Sequence, residues 1–106
     1  GAQELDEAID ALKKAAHISA SGEYFFELAK LYASQKNWRD SVKAGLNSLE
    51  KGLNFDTLDE NYLLLGQSLY HEGKLEAARK YFLKVREGGG EFRVAQQWLL
   101  YLTEDK

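Results

Sequence analysis

The chain has 106 residues, a formal net charge of −3, 44% hydrophobic and 29% charged residues, and no cysteine. That length and balance fit one globular domain with a core of its own. Disulfides, zinc–thiolate sites and thiol chemistry are excluded, and a mildly acidic chain lacks the basic footprint that nucleic-acid binding requires.

Proline is absent, so nothing in the composition forbids long helices. The 3.6-residue period then predicts five to six of them. The first runs from Glu4 to about His17, with Leu5, Ala8, Ile9, Leu12, Ala15 and Ala16 on one face. Ser19–Ala20–Ser21–Gly22 breaks it, and Ser21 or Gly22 can cap the next helix with Glu23 at its positive end. The second helix, about Glu23 to Ser34, carries Phe25, Leu28, Ala29 and Tyr32. Gln35–Lys36–Asn37 is a tight turn. The third, about Trp38 to Lys51, carries Trp38, Ser41, Val42, Gly45, Ser48 and Leu49, and Gly52 stands where a left-handed C-terminal cap belongs. Leu53 to Leu58 reads as a connector and Asp59 as the N-cap of a fourth helix bearing Tyr62, Leu65, Gly66 and Leu69. After His71–Glu72–Gly73–Lys74, a fifth helix bears Leu75, Ala78, Phe82 and Val85 and ends at Gly88–Gly89–Gly90. A sixth, about Glu91 to Leu102, bears Val94, Ala95, Trp98, Leu99 and Leu102.

The chain matches itself at a spacing of 37 residues. Phe25, Leu28, Ala29 and Tyr32 fall on Tyr62, Leu65, Gly66 and Leu69. Trp38, Ser41 and Ser48 fall on Leu75, Ala78 and Val85. Small residues at 29, 66, 41 and 78 allow close helix approach, and such hairpins are stable when stacked. The pattern resembles the tetratricopeptide repeat (TPR) family: aromatic, Leu, Gly or Ala, then Tyr on the first helix, and Ala with Phe on the second. Tyr62, Leu65, Gly66, Leu69, Gly73, Ala78 and Phe82 carry it best. The resemblance implies a single all-α domain over 1–106, a right-handed α-α superhelix of helical hairpins. Residues 4–20 are then the second helix of a partial repeat, 22–53 and 59–90 two repeats, and 91–106 a capping helix. The chain departs from the family at Leu53 and Gly90, where a closing proline is usual, and at Gly45, where an aromatic is usual. The longer period is a further departure.

The ending Ala95–Gln96–Gln97–Trp98–Leu99–Leu100–Tyr101–Leu102 is similar to that of periplasmic TPR proteins associated with TonB–ExbB–ExbD systems. That resemblance implies a bacterial periplasmic component assisting energy transduction, with a cytoplasmic setting as the alternative. The same residues serve equally as a helix that covers the last hairpin, with Thr103–Lys106 facing water.

No catalytic constellation is visible, and no enzyme, metal or cofactor is expected. His17 and His71 lie in different hairpins without a ligand at helical spacing. Asp59–Glu60 and Glu104–Asp105 are adjacent and do not share a helix face. Gly88–Gly90 follows no strand and precedes no Gly-Lys-Ser/Thr, so it cradles no phosphate. The longest apolar runs, such as 63–66 and 98–102, fall far short of the roughly 18 residues of a membrane span, so no insertion is expected. Tyr24, Phe25, Tyr32, Trp38, Tyr62, Phe82 and Trp98 are spaced as core residues. Phe26 and Tyr70 fall one position past an inward residue. The resemblance places Phe26, Lys30 and Ser34, then Leu63, Gln67, Tyr70 and His71, on a concave groove that takes a protein or peptide. Lys30 alone does not make the basic clamp of chaperone-tail binders. The competing expectation is a structural spacer or self-association segment, with terminal helices stacking on further repeats.

Overall fold

Apolar residues three and four apart, uninterrupted by proline, give six α-helices and no strand among the described residues, 1–104 of the computed structural model. Asp105 and Lys106, and with them the Glu104–Asp105 pair, lie outside the described residues. The helices are α1 (Ala2–Ile18), α2 (Glu23–Ser34), α3 (Trp38–Lys51), α4 (Phe55–His71), α5 (Leu75–Lys84) and α6 (Gly90–Glu104). Each packs on the next, and α4 also touches α2 and α6. The stack measures 41 × 28 × 20 Å.

The 37-residue match extends to the backbone. Asn37 N–H donates to Tyr32 O and Lys36 N–H to Ala33 O, both at 2.9 Å. Lys74 N–H donates to Leu69 O and Gly73 N–H to Tyr70 O, again at 2.9 Å. These are paired 6→1 and 5→2 bonds that close a helix through a left-handed residue. That residue is Gly73 at φ +80° in one turn and Lys36 at φ +60° in the other. Only glycine takes this conformation without a Cβ penalty, so Lys36 holds it at a cost.

Small residues set the helix spacing. A Cβ on Gly66 would lie 2.5 Å from the Phe82 ring. Phe82 is fully buried there and stacks on Trp98 of α6, with centroids 5.5 Å apart and rings 8° from parallel. At Gly45 the missing bulk is supplied from α4, because a Cβ there would meet Leu65 Cδ2 at 2.8 Å. Gly22 is the tightest approach: a Cβ would stand 2.1 Å from Ser48 O, and its N–H donates to Gly52 O at 2.8 Å. Between α2, α3 and α4 runs a buried polar seam. Ser68 Oγ donates to Ser41 Oγ (3.1 Å), which donates to Ala29 O (2.9 Å), and Asn61 Nδ2 donates to Gly45 O (3.1 Å). Buried polar groups are costly unless bonded in this way, and on this seam Asn61 Oδ1 is buried without a hydrogen-bond partner among the described residues.

The helix ends differ from the sequence expectation in one informative place. α4 begins at Phe55, not after Asp59, and Asn54 is its N-cap residue. The Glu23 carboxylate of α2 accepts from Asn54 N–H (3.1 Å) and Thr57 Oγ1 (2.8 Å), so the helix start is held from another hairpin. Asp59, one turn into the helix, instead receives Arg86 N–H and Nε at 3.1 Å and pairs with the guanidinium at 3.1 Å. That brings the segment after α5 back onto α4. The predicted 59–90 unit therefore starts at 55. α5 ends at Lys84, before the glycines, and α6 begins on Gly90. At the other end, Lys51 Nζ donates to the carbonyls of Ala16 (2.5 Å), His17 (3.1 Å) and Ser19 (2.6 Å), closing α1 from the end of α3. Tyr24, expected in the core, is 44% exposed.

Candidate functional site

On α4 the residues 60, 63, 64 and 67 form one helical stripe. Glu60, Leu63, Leu64 and Gln67 of that stripe line a depression of about 270 Å³ with Phe26 and Lys30 of α2 and Glu91 of α6. Four of the seven predicted groove residues, Phe26, Lys30, Leu63 and Gln67, thus share one concavity. They share it because α2 and α4 are in contact while α6 closes one end.

Its floor is closed rather than open. Phe26 is only 2% exposed. Lys30, one turn on, lays its Nζ 4.8 Å from the Phe26 ring centroid and pairs with Glu27 Oε2 at 2.6 Å. The covering follows from helical spacing: positions i and i+4 stack, and a lysine stem shields apolar surface while its charge stays wet. Leu63 and Gln67 are half-buried and Glu60 is exposed. The rim carboxylates Glu60 and Glu91 meet no cation within ion-pair distance among the described residues.

Tyr70 belongs to a second depression of about 290 Å³ with Gln97, Trp98 and Tyr101. Its ring centroid is 4.9 Å from that of Trp98, and its hydroxyl is 3.0 Å from that of Tyr101. The other two groove candidates are elsewhere. His71 stacks on Trp38, with centroids 4.2 Å apart and rings 14° from parallel, so it joins α4 to the start of α3. Ser34 is exposed and its Oγ donates to Leu31 O at 2.6 Å.

Sequence reasoning missed Glu60, Leu64 and Glu91. The Glu60 signal was present, three residues before Leu63 on the same face. Leu64 lies next to Leu63 on the same stripe, so its signal was present too. Glu91 had no local signal, because α6 reaches the depression only through the fold. Among the described residues no group of three or more His, Asp or Glu stands together to hold a metal. No helix of the described chain is long and apolar enough to cross a membrane. No protein-family model and no curated protein matches the chain.

Proposed function

We propose that this chain is a non-catalytic, protein-binding scaffold of the TPR type, which captures a peptide or helix along the face shared by α2, α4 and α6. One observation carries the reading: residues from two successive hairpins, Phe26 with Lys30 and Leu63 with Gln67, and Glu91 of the final helix converge on one depression. The bond-for-bond recurrence of the turns at 36–37 and 73–74 supports the repeat character. A shallow, mixed surface with an apolar centre and charged rim suits a polypeptide, whose backbone Gln67 can bond and whose apolar side chain Leu63 can receive.

The narrower reading, a periplasmic component of a TonB-linked system, rests on the sequence of α6 alone. Ala95 and Leu102 are buried and Trp98 stacks on Phe82, so packing by itself accounts for those residues.

The test is direct. Peptides selected from a displayed library against the folded chain are titrated into isotopically labelled protein. The amide resonances of Lys30, Leu63 and Gln67 are expected to shift. Selected peptides that shift only residues remote from α2 and α4 contradict the proposal.

A further inference from the structure

A third cleft lies on the other side of α2, and its origin is legible in the repeat. Its floor is Phe25, Leu28 and Tyr32. One wall is Lys13 and His17 of α1, a turn apart. The other is Lys43, Ala44 and Asn47 of α3, and Asp40 completes the lining. The volume is about 390 Å³. The repeat spacing carries Ala44 onto Tyr81. Tyr81 is half-buried against Tyr62, with centroids 6.3 Å apart, and occupies the corresponding space over α4. Tyr62 is itself the counterpart of Phe25. The first hairpin therefore has an opening where the second carries a ring, with Ala44 standing in place of Tyr81.

The walls differ too. Lys13 and His17 correspond to Glu50 of α3 and Asn54 before α4, so the basic α1 wall has no counterpart beside the second hairpin, whereas Lys43 recurs there as Lys80. Lys13 and Lys43 are exposed, and neither meets a carboxylate within ion-pair distance among the described residues. The single acid, Asp40, accepts from Asn37 Nδ2 at 2.8 Å. In a chain of net charge −3, two lysines without an ion-pair partner among the described residues border this cleft with Asp40, over a floor of Phe25 and Leu28 that is largely buried beside the half-buried Tyr32.

We propose that this cleft binds an acidic peptide in which a bulky apolar side chain sits beside a carboxylate. The apolar group enters the space over Phe25 and Leu28 that Ala44 leaves, and the carboxylate is held between Lys13 and Lys43. Small-molecule sites enclose most of their ligand. Here both cationic walls are open to water, which suits a longer chain lying across the trough. The site is separate from the α2–α4 depression and stands or falls independently of it.

The probe is a fluorescein-labelled, terminally blocked peptide alternating glutamate with leucine and phenylalanine. Its controls are the glutamine counterpart and free 3-phenylpropionate. Saturable binding of the acidic peptide is expected, with shifts at the Lys13, Ala44 and Asn47 amides and at least tenfold weaker binding of the glutamine peptide. Ala44→Tyr, which copies the second hairpin, is expected to weaken binding at least tenfold, while Leu63→Glu leaves it unchanged. The double variant Lys13→Glu/Lys43→Glu alters only exposed positions and must lose at least tenfold as well, which decides the matter if Ala44→Tyr does not fold. Absence of binding at millimolar peptide, equal binding of the glutamine form, or phenylpropionate binding as tightly as the peptide would overturn the proposal.

Discussion

Gly22→Ala is expected to be among the most damaging single-methyl additions in this chain. Gly22 is in a right-handed conformation, φ −82° and ψ 0°, which alanine adopts freely, so backbone strain is not the issue. Space is. The added Cβ would stand 2.1 Å from Ser48 O, 2.8 Å from Gly52 O and 2.9 Å from Ser48 C, all backbone atoms of α3 and its cap. No side-chain rotation relieves those contacts, so the start of α2 must withdraw from the end of α3. Overpacking of that kind costs roughly 1–3 kcal/mol. Withdrawal also breaks the Gly22 N–H to Gly52 O bond, worth about 1 kcal/mol. The sum, about 2–4 kcal/mol, is a large share of the roughly 5–15 kcal/mol typical of a domain. At this size it lowers Tm by about 10–20 °C. Circular dichroism melts and urea titrations of Gly22→Ala measure it, with Gly90→Ala as the control because its Cβ meets nothing within 4 Å. A Gly22→Ala protein as stable as its Gly90→Ala counterpart refutes the close approach of α2 to α3.

Lys36→Gly is expected to stabilise the chain by about 0.5–1 kcal/mol, since it relieves a left-handed lysine at a position where the next turn has Gly73; a urea midpoint shift reports it. Lys51→Met should destabilise by about 1–3 kcal/mol, because three carbonyls at the end of α1 lose a charged donor. Hydrogen exchange should then quicken in α1 before other helices. Phe82→Ala should cost about 3–5 kcal/mol and release Trp98, visible as a change in tryptophan emission.

What the sequence disclosed, and what it did not, divides by the range of the forces. α2 and α3 begin and end where local signals put them, at Gly22, at Asn37, whose side chain accepts from Asp40 N–H, and at Gly52. α4 does not, because its start is held by Glu23, far away in sequence, and no window around Asp59 contains that information. Asp59 has the composition of a cap but a partner, Arg86, that makes it an anchor instead. The candidate groove was half legible for the same reason. Helical spacing brought Phe26 and Lys30 to one face and Leu63 and Gln67 to another, but not that Lys30 would lie over Phe26. The loss of His71 to a stack on Trp38 depends on how one hairpin leans on the next, which no local pattern encodes.

The central claim is that the face shared by α2, α4 and α6 binds a polypeptide. Leu63→Glu tests it most directly, since Leu63 is half-buried in the depression and its change leaves the Gly22, Gly45 and Gly66 contacts intact. Against a peptide selected on the wild-type chain, at least a tenfold loss of affinity is predicted at a temperature where circular dichroism shows the variant folded. Its melting temperature is lowered, because Leu63 also packs on the core around Leu69 and Phe82. Unchanged affinity in the folded Leu63→Glu protein would contradict it.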